Sequence, residues 1–150
     1  MNGKEKKYEE LLPQVAALIE GEDDRVSVMA NVAAALHHAM GFFWTGFYVA
    51  SGNELRLGPF QGTVACMHIA RGRGVCGTAW EREETIVVPD VEQFPGHIAC
   101  SSESRSEIVV PVRDASGTVW AVLDIDSREL GTFDDTDRRY LEQLVGLLRF

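Results

Sequence analysis

Three cysteines, Cys66, Cys76 and Cys100, sit in glycine-rich or irregular stretches, GPFQGTVAC (58–66), GRGVCG (72–77) and FPGHIAC (94–100). Structural cysteines ordinarily occupy apolar runs, where they pack as small hydrophobes. Thiols in turn-forming sequence instead suit redox chemistry or metal ligation. Redox chemistry needs one thiol of lowered pKa and a second within disulfide reach. Cys76 meets the first need on local sequence, because it lies at the start of a short helix beside Arg71 and Arg73. Cys100, ahead of Ser101-Ser102, can also precede a helical turn. These physical arguments do not separate the two as nucleophile. For a metal, Cys66-Met67-His68 and His97-Ile98-Ala99-Cys100 offer thiolate–imidazole pairs that Cys76 would complete. The closely paired cysteine knuckles of structural zinc sites are absent, as are the zinc deaminase signature and the serine hydrolase elbow. Thiol redox chemistry without a metal is the better reading.

A second group of reactive side chains lies near the end of the chain. In VWAVLDIDS (119–127) a strand would place Trp120, Val122, Asp124 and Asp126 on one face and Val119, Ala121, Leu123 and Ile125 on the other. Carboxylates two residues apart on a strand are separated by about 6.5–7 Å. The plain reading is a solvated strand end. The functional reading is an acidic site, since neighbouring carboxylates bind an ammonium or share a proton. Glu107 reaches the same region if 106–112 folds back on 118–126. Such a group can hold a cationic ligand and stay partly protonated for acid chemistry. Upstream, Trp44 and Tyr48 alternate with Phe43, Thr45 and Phe47 around Gly46. An aromatic stripe usually marks core, but here both faces are aromatic. Gly46 is expected to leave an opening between Trp44 and Tyr48 that suits a thioether or methyl group.

The elements that must position these residues follow from periodicity. Tyr8, Leu11, Leu12, Val15, Leu18 and Ile19 recur at helical spacing up to Gly21. Asp24, or Asp23, caps a second helix through Val26, Met29, Val32, Ala33 and Leu36, ending before Gly41. His37 and His38 fall at its C-terminus, where imidazolium suits the helix dipole. FFWTGFYVA (42–50) and ELRLGPF (54–60) form a hairpin around Ser51-Gly52-Asn53-Glu54. Short strands are expected at 66–70 and 84–91, a short helix at 75–80, and a turn at Pro95-Gly96. Residues 106–127 read as a long hairpin around Asp114-Ala115-Ser116-Gly117. A helix capped by Asp134 or Asp135 then closes the chain through Leu141, Leu144, Val145 and Leu148. Helices at both ends of an antiparallel sheet make an α+β fold.

Composition sets the remaining bounds. At 150 residues and 45% hydrophobic content, 1–150 reads as one domain with a proper core. A formal net charge of −9 disfavours nucleic acid and anionic membrane surfaces as partners. No apolar run approaches the roughly 20 residues needed to span a bilayer. The opening MNGKEKKYEELL is charged and leads into a helix rather than a signal peptide. A cytoplasmic, reducing location follows as the expectation, with no structural disulfide. An odd number of cysteines would in any case leave one over, so all three are expected free in the resting protein.

At this point GPFQGTVACMHIARGRGVCGTAW (58–80), VVPDVEQFPGHIACSSESRSEIVVPV (87–112), LDIDS (123–127) and FDDTDRRYLEQL (133–144) can be read together. They resemble the free methionine-(R)-sulfoxide reductases, which are built on the GAF fold, and the resemblance covers nearly the whole chain. It implies six antiparallel strands between helices, with a pocket closed by the cysteine-bearing loops. It also implies that Cys100 is the nucleophile and Cys66 the resolving thiol, with Cys76 matching the remaining motif cysteine. The family's acidic cluster falls on Glu107, Asp124 and Asp126, and its aromatic wall on Trp44 with Tyr48 beside it. One departure is Ser101, where the family pattern has an acidic residue after the third cysteine. The implied activity is reduction of free methionine (R)-sulfoxide through a sulfenic acid and a disulfide. A thioredoxin-type dithiol would recycle it, as a defence against oxidative stress, without metal or organic cofactor. The rival is a GAF sensory module that binds a small ligand without catalysis, for which 150 residues leave no output domain. An inert scaffold would leave the acidic strand and the loop thiols unexplained. A homodimer is left open.

Overall fold

The structure is a computed structural model that describes residues 3–97, 100, 102–148 and 150. Ser101, and with it the departure noted above, lies outside the described residues, as do Ile98 and Ala99. The elements in chain order are α1 (Gly3–Ile19), α2 (Arg25–Met40), β1 (Trp44–Ser51), β2 (Glu54–Gln61), β3 (His68–Ala70), α3 (Gly74–Arg82), β4 (Ile86–Val88), β5 (Ser106–Arg113), β6 (Val119–Ser127) and α4 (Asp135–Val145). A single 3-10 turn, Val91–Gln93, precedes the loop that carries Cys100. The six strands form one sheet in the order β3-β2-β1-β6-β5-β4, and every neighbouring pair is antiparallel. This is the α+β architecture expected from the periodicity. No helix among the described residues is long and apolar enough to cross a membrane.

The helix ends are set by local chemistry. The Asp24 side chain accepts from the Ser27 N–H at 3.0 Å, and Gly41 closes α2 in the left-handed region at φ 71°, its N–H bonding the His37 carbonyl. At α4, Asp134 and Asp137 form a reciprocal capping box. Asp137 also accepts from Tyr8 Oη and Lys4 Nζ, each at 2.6 Å, which ties α1 to α4. Helices α1, α2 and α4 cover one face of the sheet, packing Tyr8, Val32, Leu36 and Leu144 on Phe47, Ile108, Leu123 and Ile125. The opposite face is covered by α3 and the loops, over Trp44, Tyr48, Leu55, Val109 and Val122.

Several expectations change in three dimensions. Leu18 and Val26, assigned to apolar helix faces, are exposed because they lie at the rim of those faces. Burial followed by the neighbouring His38 lowers the His37 pKa, and its Nδ1 lies 3.0 Å from Thr45 Oγ1. A neutral, hydrogen-bonded imidazole therefore replaces the expected imidazolium. Trp120 and Val119 exchange faces relative to strict alternation. Opposite one step of β5, from Val112 to Arg113, β6 advances two residues, from Ala121 to Val119. This bulge turns Trp120 into the α1–α2–α4 core beneath Arg25, while Val119 joins the α3 side. Beyond the bulge alternation resumes, so Val122, Asp124 and Asp126 face away from Ala121, Leu123 and Ile125.

Candidate active site

The acidic residues owe their meeting to register. On β6, Asp124 and Asp126 share the face toward α3, and antiparallel pairing sets Glu107 of β5 directly opposite Asp126. The plain reading of a solvated strand end is thereby overturned, since Glu107, Asp124 and Asp126 are 6%, 6% and 9% exposed. Burial comes first among the causes that push all three carboxyls up. The charge of Asp124 pushes Glu107 and Asp126 further, well above the ordinary range. Asp124 is different, because hydrogen bonds from Glu107, Cys76 and Asp126 partly offset its desolvation. Of the three, Asp124 has the most causes favouring its charged form, while Glu107 and Asp126 are pushed toward the protonated form. Asp124 Oδ1 is buried and has no hydrogen-bond partner among the described residues. Such an atom costs free energy unless a ligand meets it.

The aromatic wall comes from β1. Trp44 stacks between Phe60, with centroids 5.1 Å apart, and Tyr48, at 6.1 Å. The opening expected over Gly46 is not there. A Cβ at Gly46 would lie 2.4 Å from Phe60 Cβ and 2.7 Å from Trp44 Cη2, so the glycine makes room for the stacked Phe60 and Trp44 side chains. Gly62, at φ +134°, serves the same ring, since a Cβ there would meet Trp44 Cδ1 at 2.6 Å. Two hydrogen bonds then pin the β2–β3 loop over the sheet. Trp44 Nε1 donates to the Thr63 carbonyl and Tyr48 Oη to the Cys66 carbonyl, both at 2.9 Å.

That loop meets the one before β5. Cys66 and Cys100, 34 residues apart in sequence, are joined in a disulfide with Cα atoms 5.4 Å apart. The expectation of three free thiols is thus corrected, because both loops fold over the same end of the sheet and bring two half-buried sulfurs together. Cys76 alone is free. It lies in the first turn of α3, as the sequence placed it, and it is 4% exposed. The helix-terminus argument for a low Cys76 pKa fails here. Burial, then Asp124, Glu107 and Asp126, push the thiol well above its ordinary value. Arg71 stacks on Trp80, its guanidinium carbon 4.7 Å from the ring centroid.

All eight candidate residues, Trp44, Tyr48, Cys76, Cys100, Glu107, Asp124, Asp126 and, through its bond to Cys100, Cys66, gather at one pocket. His97, Arg73 and Ser104 also line it and were not singled out as pocket residues by sequence. His97 was noted only as a metal ligand and Arg73 only as a charge beside Cys76, and nothing in the residues around Ser104 marks it. The metal set considered from sequence, the three cysteines with His68 or His97, does not assemble, because Cys66 and Cys100 are joined to each other. His68 is exposed and its Nδ1 lies 2.7 Å from Glu54 Oε2. A different donor set exists, in which one ligand atom each from Cys76, Glu107 and Asp124 fall within 4.8 Å of one another.

Residues 24–149 match the GAF domain family, the class of protein that this six-stranded sheet and its pocket define. GAF domain-containing protein A of Dictyostelium discoideum is 56% identical over 146 residues, covering 97% of this chain and 92% of that protein. The free methionine-R-sulfoxide reductase of Saccharomyces cerevisiae is 43% identical over 153 residues, covering 97% and 85%. The structure of free methionine-R-sulfoxide reductase from Neisseria meningitidis in complex with its substrate superposes with a TM-score of 0.95. It is 49% identical, covering 99% of this chain and 89% of that one. The chain belongs to the free methionine-R-sulfoxide reductase family of GAF-domain proteins.

Proposed function

We propose that residues 1–150 act as one catalytic domain that reduces free L-methionine (R)-S-oxide to L-methionine. The observation that carries this reading is the Cys66–Cys100 disulfide beside a pocket that holds a buried acidic trio. The relatives named above, one of them solved with its substrate, support the same activity.

In the proposed sequence the substrate ammonium pairs with Asp124, and its S-methyl group rests on the Trp44 ring. The Cys100 thiolate attacks the sulfoxide sulfur. A proton from Glu107 or an ordered water reaches the sulfoxide oxygen, which is transferred to Cys100 as the substrate sulfur is reduced. Methionine leaves, and Cys100 remains as the sulfenic acid. Cys66 then attacks the Cys100 sulfur, the sulfenic oxygen departs as water, and the disulfide forms. The net change is one sulfoxide and two thiols to one sulfide, one disulfide and water. A thioredoxin-type dithiol restores the thiols by exchange, and a reducing compartment such as the cytoplasm suits that step. Every group named comes from one chain, so the chemistry is the same in a monomer and in a homodimer.

The test is methionine release from each epimer of free methionine sulfoxide with thioredoxin as reductant. Turnover of the R epimer is expected. Tight binding of methionine or its sulfoxide without turnover of either epimer would instead favour a ligand-binding sensory module.

A further inference from the structure

The proposed cycle uses two thiols and leaves the third, Cys76, without a part. We propose that Cys76 is a positioning residue rather than a redox one, its S–H holding Asp124 where the ligand's ammonium must meet it. The inference rests on the reductase reading above and assigns the remaining cysteine within that site.

Geometry carries the argument. Cys76 is the third residue of α3, and its sulfur lies within 4.8 Å of carboxylate oxygens of Asp124 and Glu107. The turn that holds it is clamped on β3. A Cβ at Gly77 would lie 2.5 Å from the Ala70 carbonyl oxygen, and the Gly72 N–H donates to the Gly77 carbonyl at 3.0 Å. A sulfur held at that depth, at 4% exposure, is badly placed to exchange with a reductant from solution. A thiol can do something else there, which is to donate. Asp124 lies against Cys76 and Glu107, with Asp126 two residues along the same strand, and its buried Oδ1 has no hydrogen-bond partner among the described residues. These neighbours come from α3, β5 and β6, so groups able to donate enclose a carboxylate that lines the pocket and has one oxygen left without a partner. The other titratable or charged groups near it are Tyr48 on β1, Arg73 at the start of α3 and His97 on the loop before Cys100. Tyr48 Oη is committed to the Cys66 carbonyl.

The experiment compares Cys76→Ala with Cys76→Ser, which remove the same sulfur and differ by one hydroxyl donor. Losing a hydrogen bond to a charged group is expected to raise KM for free methionine sulfoxide by about tenfold or more in Cys76→Ala. The single-turnover methionine yield should stay stoichiometric in both variants. Cys76→Ser should recover most of the KM. The acid limb of the KM–pH profile should move to higher pH in Cys76→Ala, where Asp124 has lost a donor to its charged form, and stay in place in Cys76→Ser. Calorimetric affinity for L-methionine, which carries the same ammonium, reads the contact without turnover. That arm separates failure of the positioning role from failure of the reductase reading. Equal damage in the two variants, with no pH shift between them, overturns the proposal in favour of packing. Loss of the single-turnover yield in Cys76→Ser overturns it in favour of a redox role.

Discussion

Replacing Asp124 with asparagine keeps the size of the side chain and removes the charge on which the buried trio is organised. Asp124 is only 6% exposed, so water and salt screen its pairing with a ligand weakly. Leaving one partner of a buried ion pair without the other typically costs about 3–5 kcal/mol. At about 1.4 kcal/mol per decade, the expected loss in kcat/KM on free methionine sulfoxide is about 150- to 4,000-fold. N-acetylation removes the other partner, so the N-acetylated substrate should lose a similar factor on the unmodified enzyme. The two changes delete the same contact and should not add. Asp124→Asn should therefore cost far less on the N-acetylated substrate than on the free one. The assay is methionine or N-acetylmethionine formation for both enzymes and both substrates, read as a double-mutant cycle. An equal penalty from Asp124→Asn on the two substrates would refute the pairing and return Asp124 to a structural role.

Cys100→Ser should abolish even a single turnover, and Cys66→Ser should complete one and then stall, because substrate reduction precedes resolution. Rapid-quench methionine yields decide this, and a stoichiometric burst from Cys100→Ser would move the nucleophile to Cys76. Glu107 and Asp126 have carboxyl pKa values raised well above the ordinary range, chiefly by burial. A raised folded-state pKa means that stability present below the unfolded carboxylate pKa is lost as pH rises toward the folded value. Glu107→Gln should accordingly melt at a higher temperature than the parent at neutral pH, with the gap closing near pH 4, as thermal scans across pH would reveal. Gly46→Ala should disturb the Trp44–Phe60 stack, since the new Cβ would lie 2.4 Å from Phe60 Cβ and 2.7 Å from Trp44 Cη2. A stability loss of about 1–3 kcal/mol is expected, together with a raised KM, and unchanged values for both would remove Gly46 from the account of the aromatic wall.

Much of this molecule was legible as a string. Alternation along β6 placed Asp124 and Asp126 on one face, and the tight turn at 114–117 set Glu107 beside them. Both are short-range matters, decided by the two-residue repeat of a strand and the geometry of a hairpin. The caps at Asp24 and Asp134 were readable for the same reason, since a capping side chain bonds a backbone N–H only two or three residues away.

What the tertiary structure decided is everything that depends on what comes to lie over a residue from elsewhere. Local sequence favoured a reactive Cys76 at a helix start beside two arginines. The fold sets three carboxyls of β5 and β6 against that thiol and buries it, and desolvation with like-charge repulsion outweighs a partial helix charge. The Gly46 gap looked open because a glycine has no side chain, yet the Trp44 ring folds back to fill it. A bulge opposite Val112 and Arg113 swapped the faces of Trp120 and Val119, which a strict period cannot foresee. The residues themselves did not say which two of three thiols would meet. That pairing waits on two loops closing over one end of the sheet, a contact set by strand order rather than by spacing. Periodicity in the chain thus determined which side chains point the same way. Burial and the strand order determined which are charged and which touch, because desolvation and long-range contact exist only once the chain has closed on itself.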